Sequence, residues 1–329
     1  MFNRKINYQA FFAIGFILLS LPACRKDNET FDPHANSQKE LDALLGLVPS
    51  SLTTTVFTLK GTDLINDTTL ETPGGVRLEL ENNNFLFTLE NGTAQPCTSC
   101  NTVKVELTEV LRTGDWLSRG LPAVNQVDKL TEHIGAVHVK ISCDANNLLI
   151  DTNRHLKLYI PDSSNGSNYT IAYAQPDAQQ KLTAWETGAA NSVYNATWTV
   201  AGSASPYQGY QLLTKKMGWV SAIRPITPNA SITFCVKLPK QYYLDNTRVF
   251  ALLQNGAVTV QMQPKIDEKG VFCLENAPVG EDIRFVTVSS TGAHFWLGSG
   301  EAVVSDNAAS SVSPVISDQQ SIITFLRGL

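Results

Sequence analysis

The sequence is poor in the residue types and motifs from which most catalytic sites are built. Its 329 residues include five histidines and three methionines, and only 17% of them are charged. It contains no His-Glu-x-x-His segment, no Gly-x-Ser-x-Gly segment and no glycine loop that opens a helix, which are signatures of zinc proteases, serine hydrolases and phosphate-binding proteins. We therefore predict no catalytic residues, no cofactor and no metal site, and expect that the protein is not an enzyme.

Clusters of basic residues are also missing. The formal net charge is −5, and no basic run follows Lys26. Because a nucleic-acid-binding surface depends on clustered Lys and Arg side chains that neutralise phosphates, we expect no nucleic acid partner.

Only one long apolar run occurs, and it lies at the N-terminus. Residues 11–23 carry no charge, and they follow a segment that contains Arg4 and Lys5 but no acid. This order is typical of a secretory signal. The run is shorter than the ~20 apolar residues that a membrane-spanning helix needs, so a permanent transmembrane helix is the weaker interpretation.

The run ends in Leu21-Pro22-Ala23-Cys24, which resembles the bacterial lipobox. The resemblance implies that residues 1–23 are a lipoprotein signal peptide and that the Cys24 sulfur carries lipid, with palmitate among its acyl chains. The membrane would then be a partner through this anchor. In the simpler alternative, an ordinary signal is removed and Cys24 is incidental.

The next five residues, Arg25-Lys26-Asp27-Asn28-Glu29, resemble the sorting signal of Bacteroidota surface lipoproteins. This resemblance implies an outer-membrane anchor that faces the cell exterior. A periplasm-facing anchor with a solvated tether is the alternative.

Five cysteines follow the predicted anchor, and an oxidising envelope favours disulfides between them. We predict a bridge between Cys235 and Cys273, which lie in strand-like segments of the same region. Three candidates remain for one bridge, and the pairing stays open: Cys97, Cys100 and Cys143.

Zinc and redox interpretations of these three cysteines are less favoured. Cys97 and Cys100 form half of a zinc site, which His133, His138 or Cys143 would have to complete. A redox pair would open a helix, whereas the segment after Cys100, "NTVKVELTEVL", alternates like a strand.

From Ser51 onward, apolar residues recur mainly at every second position, and no stretch long enough for a crossover helix interrupts them. The fold class we predict is all-β, with two antiparallel β-sandwich domains in tandem and short N-terminal and C-terminal helices. The predicted divisions are a lipid-anchored tether and short helix at 24–50, a first sandwich at 51–187, a connecting segment at 188–228 and an immunoglobulin-like β domain at 229–329. We expect the N-terminal helix to pack against the domain that follows it.

Two stretches resemble known domains. "VKVELTEVLRTGDWLSRGLPAV" and "HIGAVHVKISCDANNLLIDTNRHLKLYIPD" resemble a sandwich of Bacteroidota surface proteins, which is similar to that of zonula-occludens, netrin-receptor and ankyrin proteins. The resemblance implies a hairpin centred on Gly135. Some relatives cleave themselves at a Phe-Ser bond, but this chain has no such dipeptide.

"GVFCLENAPVGEDIRFVTVSSTG" is similar to the regulatory-like, immunoglobulin-like modules of carboxypeptidases, which carry no catalytic residues.

The most plausible contact residue is Trp116, in the loop-like segment "RTGDWLSRG". An indole in a loop offers a flat apolar face to a sugar ring or a partner's side chain. We therefore expect a surface-exposed, non-catalytic binding, adhesion or accessory module with a glycan or protein partner. A periplasm-facing scaffold of an envelope complex is the alternative, and an enzyme with an unrecognised site is a more remote one.

Overall fold

A computed structural model describes residues 37–49, 53–81, 86–89, 94–96, 99–151, 154–162, 166–174, 182–189, 191–305 and 309–329. The predicted signal peptide, Cys24, the sorting segment and Cys97 lie outside the described residues. Among the described residues, no helix is long and apolar enough to cross a membrane.

The predicted all-β class is confirmed: short antiparallel strands dominate the described residues. The strands of the first half are β1 Thr54–Leu59, β2 Thr68–Glu71, β3 Arg77–Leu80, β4 Leu86–Leu89, β5 Ala94–Pro96, β6 Val103–Val110, β7 Thr131–Cys143, β8 Asn146–Ile150, β9 Leu156–Pro161, β10 Thr170–Ala174 and β11 Glu186–Thr187. Those of the second half are β12 Val193–Trp198, β13 Tyr207–Thr214, β14 Gly218–Pro225, β15 Ser231–Lys237, β16 Thr247–Leu253, β17 Val258–Gln261, β18 Gln263–Pro264, β19 Val271–Pro278, β20 Asp282–Ser290, β21 Phe295–Val303, β22 Ala309–Ser311 and β23 Val315–Ser317.

The helices in the described part of the chain are α1 Ser37–Gly46, α2 Thr113–Arg119 and α3 Gln319–Arg327, and short 3-10 turns lie at Gly61–Ile65 and Gln254–Gly256.

The first sandwich consists of two sheets that enclose one apolar core. The nine-stranded sheet has the order β1-β6-β7-β14-β10-β11, and β8, β4 and β5 continue it from the end of β7. The five-stranded sheet has the order β12-β13-β9-β3-β2. Alternate residues of both sheets, such as Val105, Leu107, Leu158 and Leu212, meet in the core and are fully buried. The period-two pattern therefore places one face of each strand inside and the other outside.

Residues 188–228, where we predicted a connecting segment, supply three strands of this sandwich. β12 and β13 pair with each other and join the five-stranded sheet through β9, whereas β14 inserts between β7 and β10 in the nine-stranded sheet. The alternation in "YQGYQLLT" predicts strands but does not reveal that their partners precede them in the chain.

The hairpin predicted at Gly135 is wrong. Gly135 lies inside the continuous strand β7, where φ is +108° and the register against β14 shifts between Ser221 and Ile223. Gly135 therefore lies at a β-bulge. This bulge needs a positive φ, as a turn does, and glycine is the residue that adopts it most easily.

The C-terminal domain packs the sheet β18-β19-β15-β22 against the sheet β17-β16-β20-β21-β23. The predicted bridge between Cys235 and Cys273 is confirmed; the two residues are directly paired on β15 and β19, with their Cα atoms 4.1 Å apart. The open pairing in the first sandwich resolves to Cys100–Cys143, which ties the segment just before β6 to the end of β7.

We expected the N-terminal helix to pack against the first sandwich, but it packs mainly on the C-terminal domain and contacts the 51–187 region through α2. Leu41, Leu44 and Leu45 of α1 lie in one apolar cluster with Val286 and Val288 of β20. Polar contacts support the same docking, because Ser290 donates a 2.7 Å hydrogen bond to Glu40 and Arg248 lies 3.3 Å from Asp42. The spacing of the leucines identifies an apolar face but not the surface that covers it.

The C-terminal helix completes this junction. Asp318 caps α3 by accepting a hydrogen bond from the backbone N–H of Ser321 at 2.9 Å, and Arg327 donates to the carbonyl of Val48 at 2.8 Å. Leu117 of α2 joins the same apolar cluster, so α1, α2 and α3 meet on the C-terminal domain.

Gly114 permits the closest approach between α2 and α3. A Cβ atom at this position would collide with the backbone carbonyl oxygen of Leu326, which cannot move independently of its helix. The glycine that made "RTGDW" look like a loop therefore allows helix–helix contact.

We predict that Gly114→Ala lowers the free energy of unfolding by roughly 1–3 kcal/mol, because the two helices must separate to admit the methyl group. Urea denaturation of the oxidised protein measures this loss. Gly46→Ala is the matched control, since a Cβ there meets nothing within 4 Å. We expect it to be neutral or stabilising by up to ~1 kcal/mol, because alanine favours the helix more than glycine does. Equal losses in both variants would contradict the packing role of Gly114.

Candidate functional site

Trp116 does not lie in a loop, so that prediction is wrong. It lies in α2, is only 1% exposed and packs over the nine-stranded sheet. Its ring stacks on His133 with centroids 3.4 Å apart, and the Trp185 ring lies 5.8 Å away. The loop-like signal came partly from Gly120, which ends the helix with a φ of +60°, a common C-terminal cap. The indole therefore offers no face to a ligand at the surface.

His133 is part of this internal ring cluster and not of a zinc site. The residue keeps some exposed surface, but both of its ring nitrogens are shielded from solvent and have no hydrogen-bond partner. Burial lowers the pKa of His133 to about 3, so the ring is neutral at physiological pH. Cys100 and Cys143 are joined in a disulfide, and the described residues contain no group of three candidate ligands for a metal ion.

The best candidate for a binding surface lies on the outer face of the five-stranded sheet. One side chain from each strand stands in a single register row: Glu71, Arg77, Tyr159, Gln211 and Tyr194. The apolar neighbours of these residues along the strands point into the core, so the row faces outward. We call this row, together with Glu79, Trp198 and Tyr207 beside it, the tyrosine face.

Hydrogen bonds and an ion pair fix the side chains of the row. The Arg77 Nε donates to Glu71 at 3.0 Å, and the guanidinium lies 5.8 Å from the centroid of the Tyr159 ring. The Tyr159 hydroxyl donates to Glu79 at 3.1 Å and accepts from the Gln211 amide at 2.7 Å. Each group is held in one orientation, which lowers the entropy lost when a ligand binds.

The charges of the tyrosine face are partly neutralised, because the Arg77 guanidinium lies against two carboxylates, those of Glu71 and Glu79. Burial would raise the pKa of Glu71, but the backbone N–H of Ala201 and the Arg77 guanidinium together hold it below its usual value. Burial, with the Glu79 charge next, raises the pKa of Tyr159, so its phenol stays protonated. The face therefore presents fixed hydrogen-bonding groups with little net charge.

Aromatic rings extend the row at one side. The Trp198 ring lies 5.4 Å from that of Tyr159 and 6.2 Å from that of Tyr207, nearly parallel to the latter. The indole N–H donates to the Gly75 carbonyl at 2.9 Å, and Tyr207 occupies the space that a side chain on Gly75 would need. Trp198 is buried and supports the platform, whereas Tyr194 on the same strand is 46% exposed.

Sequence reasoning missed the tyrosine face. "HLKLYIP" and "YQGYQLLT" show that Tyr159 and Gln211 point away from their apolar neighbours, which was the available signal. Their proximity depends on β9 pairing with β13, some 50 residues later, and that pairing is not visible in either segment.

We predict that acid destabilises the protein through His133. Its pKa is lowered from the ordinary value of 6.5 to about 3, so between these values the unfolded chain binds a proton that the folded chain does not. The stability associated with the neutral His133 ring is fully present above pH 6.5. As the pH falls below this value, the free energy of unfolding decreases, by roughly 2–3 kcal/mol between pH 7 and pH 4.5.

His133→Phe keeps a ring beside Trp116 and removes the titrating group. Urea denaturation at pH 7 and pH 4.5 should show a smaller loss of stability on acidification for the variant than for the wild type. The same pH dependence in both proteins would contradict the assignment.

No protein-family model matches this chain, and neither a curated protein nor a solved structure matches it.

Proposed function

We propose that this chain is a lipid-anchored, surface-displayed envelope protein that binds glycans without catalysis, through the tyrosine face of its first sandwich. The observation that carries the binding proposal is the register row of fixed polar and aromatic side chains across all five strands. Sugars are bound by this combination, since ring faces pack on aromatic side chains and hydroxyls exchange hydrogen bonds with fixed polar groups.

The anchor proposal is supported by the sequence. The Leu21-Pro22-Ala23-Cys24 segment supports lipidation of Cys24, and the charged residues that follow support display on the outer face of the outer membrane. Incorporation of an alkyne-tagged palmitate by the wild type but not by Cys24→Ser tests the lipid, and equal labelling of both would refute it.

The docking of α1 bears on how an anchored protein would be oriented. Twelve residues separate Cys24 from Ser37, the first residue of α1, and they span at most about 45 Å even when fully extended. Because α1 packs on the C-terminal domain, that domain would lie beside the membrane. The first sandwich, and the tyrosine face with it, would then lie farther out.

The face is suited to neutral sugars more than to strongly charged ones. Glu71 and Glu79 both lie within 4 Å of the Arg77 guanidinium, and the tyrosine phenol is uncharged. A neutral saccharide would exchange hydrogen bonds with Gln211 and Tyr159 and pack a ring face on the exposed Tyr194.

The double variant Tyr194→Ala, Gln211→Ala tests this surface. We expect at least a tenfold loss of affinity for neutral oligosaccharides selected on a glycan array, which corresponds to about 1.4 kcal/mol. Isothermal titration measures the affinity, and circular dichroism checks that the fold is retained.

Tyr243→Ala is the matched control, since Tyr243 is a partly exposed tyrosine on the C-terminal domain. Its affinity should equal that of the wild type. A double variant that binds as well as the wild type would refute the tyrosine face as the binding surface. The absence of any glycan ligand for the wild type would favour the scaffold interpretation.

A further inference from the structure

The nine-stranded sheet is forked beside β7. On one side of this strand, β6 pairs with every residue from Ala136 to Cys143. On the other side, β14 pairs only as far as Val139, and β8 begins to pair at Ser142. Residues 140 and 141 therefore have no strand partner on that side. Because consecutive residues of a strand point their N–H and C=O groups to opposite sides, one of the two presents both groups to the gap.

This gap is a cleft of about 490 Å³, which we call the basic notch. Its floor is β7, one wall is β8 and the other is the turn between β13 and β14. The side chains that line it include those of His138, Lys140, Leu149, Lys215, Lys216 and Met217. Leu149 is 47% exposed, so the notch combines an apolar wall with several cationic groups.

The cationic groups of the notch are only partly neutralised. Lys216 is paired with Glu186 at 2.9 Å. Glu106 is paired with Lys104 at 2.7 Å and also stands opposite Lys140 across the strands, so one carboxylate is shared between two lysines. Within the described part of the chain, neither Lys140 nor Lys215 has a carboxylate oxygen within 4.0 Å of its ammonium group, and both are exposed. An excess of positive charge thus lies on a protein whose net charge is −5.

The pKa of His138 also indicates that the electrostatic potential in the notch is positive. Burial is the first cause that lowers the pKa of His138, and the charges of Lys140 and Arg119 lower it further. Glu106 is the charge that opposes them.

We propose that the basic notch binds the anionic group of an acidic sugar, a carboxylate or a sulfate. The ammonium groups of Lys140 and Lys215 would contact its oxygens, and Leu149 and Met217 would pack against the sugar ring. This inference rests on the proposed function for its class of ligand, but it concerns a different surface, on the other sheet of the sandwich.

Three dextrans that share one backbone test the notch. Carboxymethyl dextran and dextran sulfate separate the two sources of negative charge, and neutral dextran controls for the backbone. We expect the wild type to bind one or both anionic polymers in biolayer interferometry at 50 mM salt and to bind neutral dextran at least tenfold more weakly. The affinity should fall as salt rises, because exposed charges are screened.

The variant Lys140→Glu, Lys215→Glu should reduce binding of the anionic polymer at least tenfold. The matched control is Lys240→Glu, Lys269→Glu, which makes the same change in net charge at two exposed lysines of the C-terminal domain and should bind like the wild type. Equal loss in both variants would show a general charge effect and overturn the proposal. Absence of binding to both anionic polymers would overturn it as well.

The Tyr194→Ala, Gln211→Ala variant separates this proposal from that of the tyrosine face. It should bind the anionic polymer like the wild type, whereas the notch variant should keep its affinity for neutral oligosaccharides. Loss of anionic binding in the tyrosine-face variant would overturn the notch as an independent site.

Discussion

The structure depends on the apolar junction where α1, α2 and α3 meet on the sheet of the C-terminal domain. Leu41 and Leu44 from α1, Leu117 from α2 and Leu326 from α3 are all buried in one cluster with strands β16 and β20. The burial of this surface joins the start of the described chain, the first sandwich and the C-terminal residues. A further link is the hydrogen bond from the backbone N–H of His133 to the carbonyl of Ala257, which joins β7 to the C-terminal domain. The two sandwiches are therefore connected by packing as well as by the chain.

This junction determines which surfaces remain for binding. The helix α2 and the Trp116–His133 stack cover one end of the nine-stranded sheet, so the aromatic side chains there stabilise the fold. On the outer face of the five-stranded sheet, Thr199 and Ala201 hydrogen-bond to Arg77 and Glu71 at one end of the row, whereas Tyr194 at the other end is 46% exposed. The fork between β8 and β14 forms an open cleft. The two surfaces differ in electrostatics. Arg77 is closely paired with carboxylates on the tyrosine face. In the basic notch, Lys140 faces Glu106 across the strands, but neither Lys140 nor Lys215 forms an ion pair within 4.0 Å among the described residues.

Sequence periodicity predicted the strands and their buried faces well, because alternation depends only on neighbours along the chain. It also supported the Cys235–Cys273 bridge, since both cysteines lie in alternating segments of one region. The failures concern partners that are distant in sequence. The leucines of α1 pack on β20, nearly 250 residues later, and β14 pairs with β7 across some 80 residues.

Glycines produced the other errors. Gly114, Gly120 and Gly135 each looked like a loop or turn residue, and the structure uses them for close helix packing, a helix cap and a β-bulge. All three roles need a small residue or a positive φ, as loops do, so composition alone does not separate them. Trp116 was placed in a loop for this reason.

The most direct test of the central proposal is the exposure of the tyrosine face on living cells. Tyr194→Cys, introduced at the most exposed position of that row, is treated with a membrane-impermeant maleimide in intact cells and in cells with a permeabilised outer membrane. The wild type corrects for labelling of native thiols, and a periplasmic protein reports leakage. We expect equal labelling of Tyr194→Cys in both samples. Labelling that requires permeabilisation would contradict surface display and would leave the periplasmic scaffold as the better interpretation.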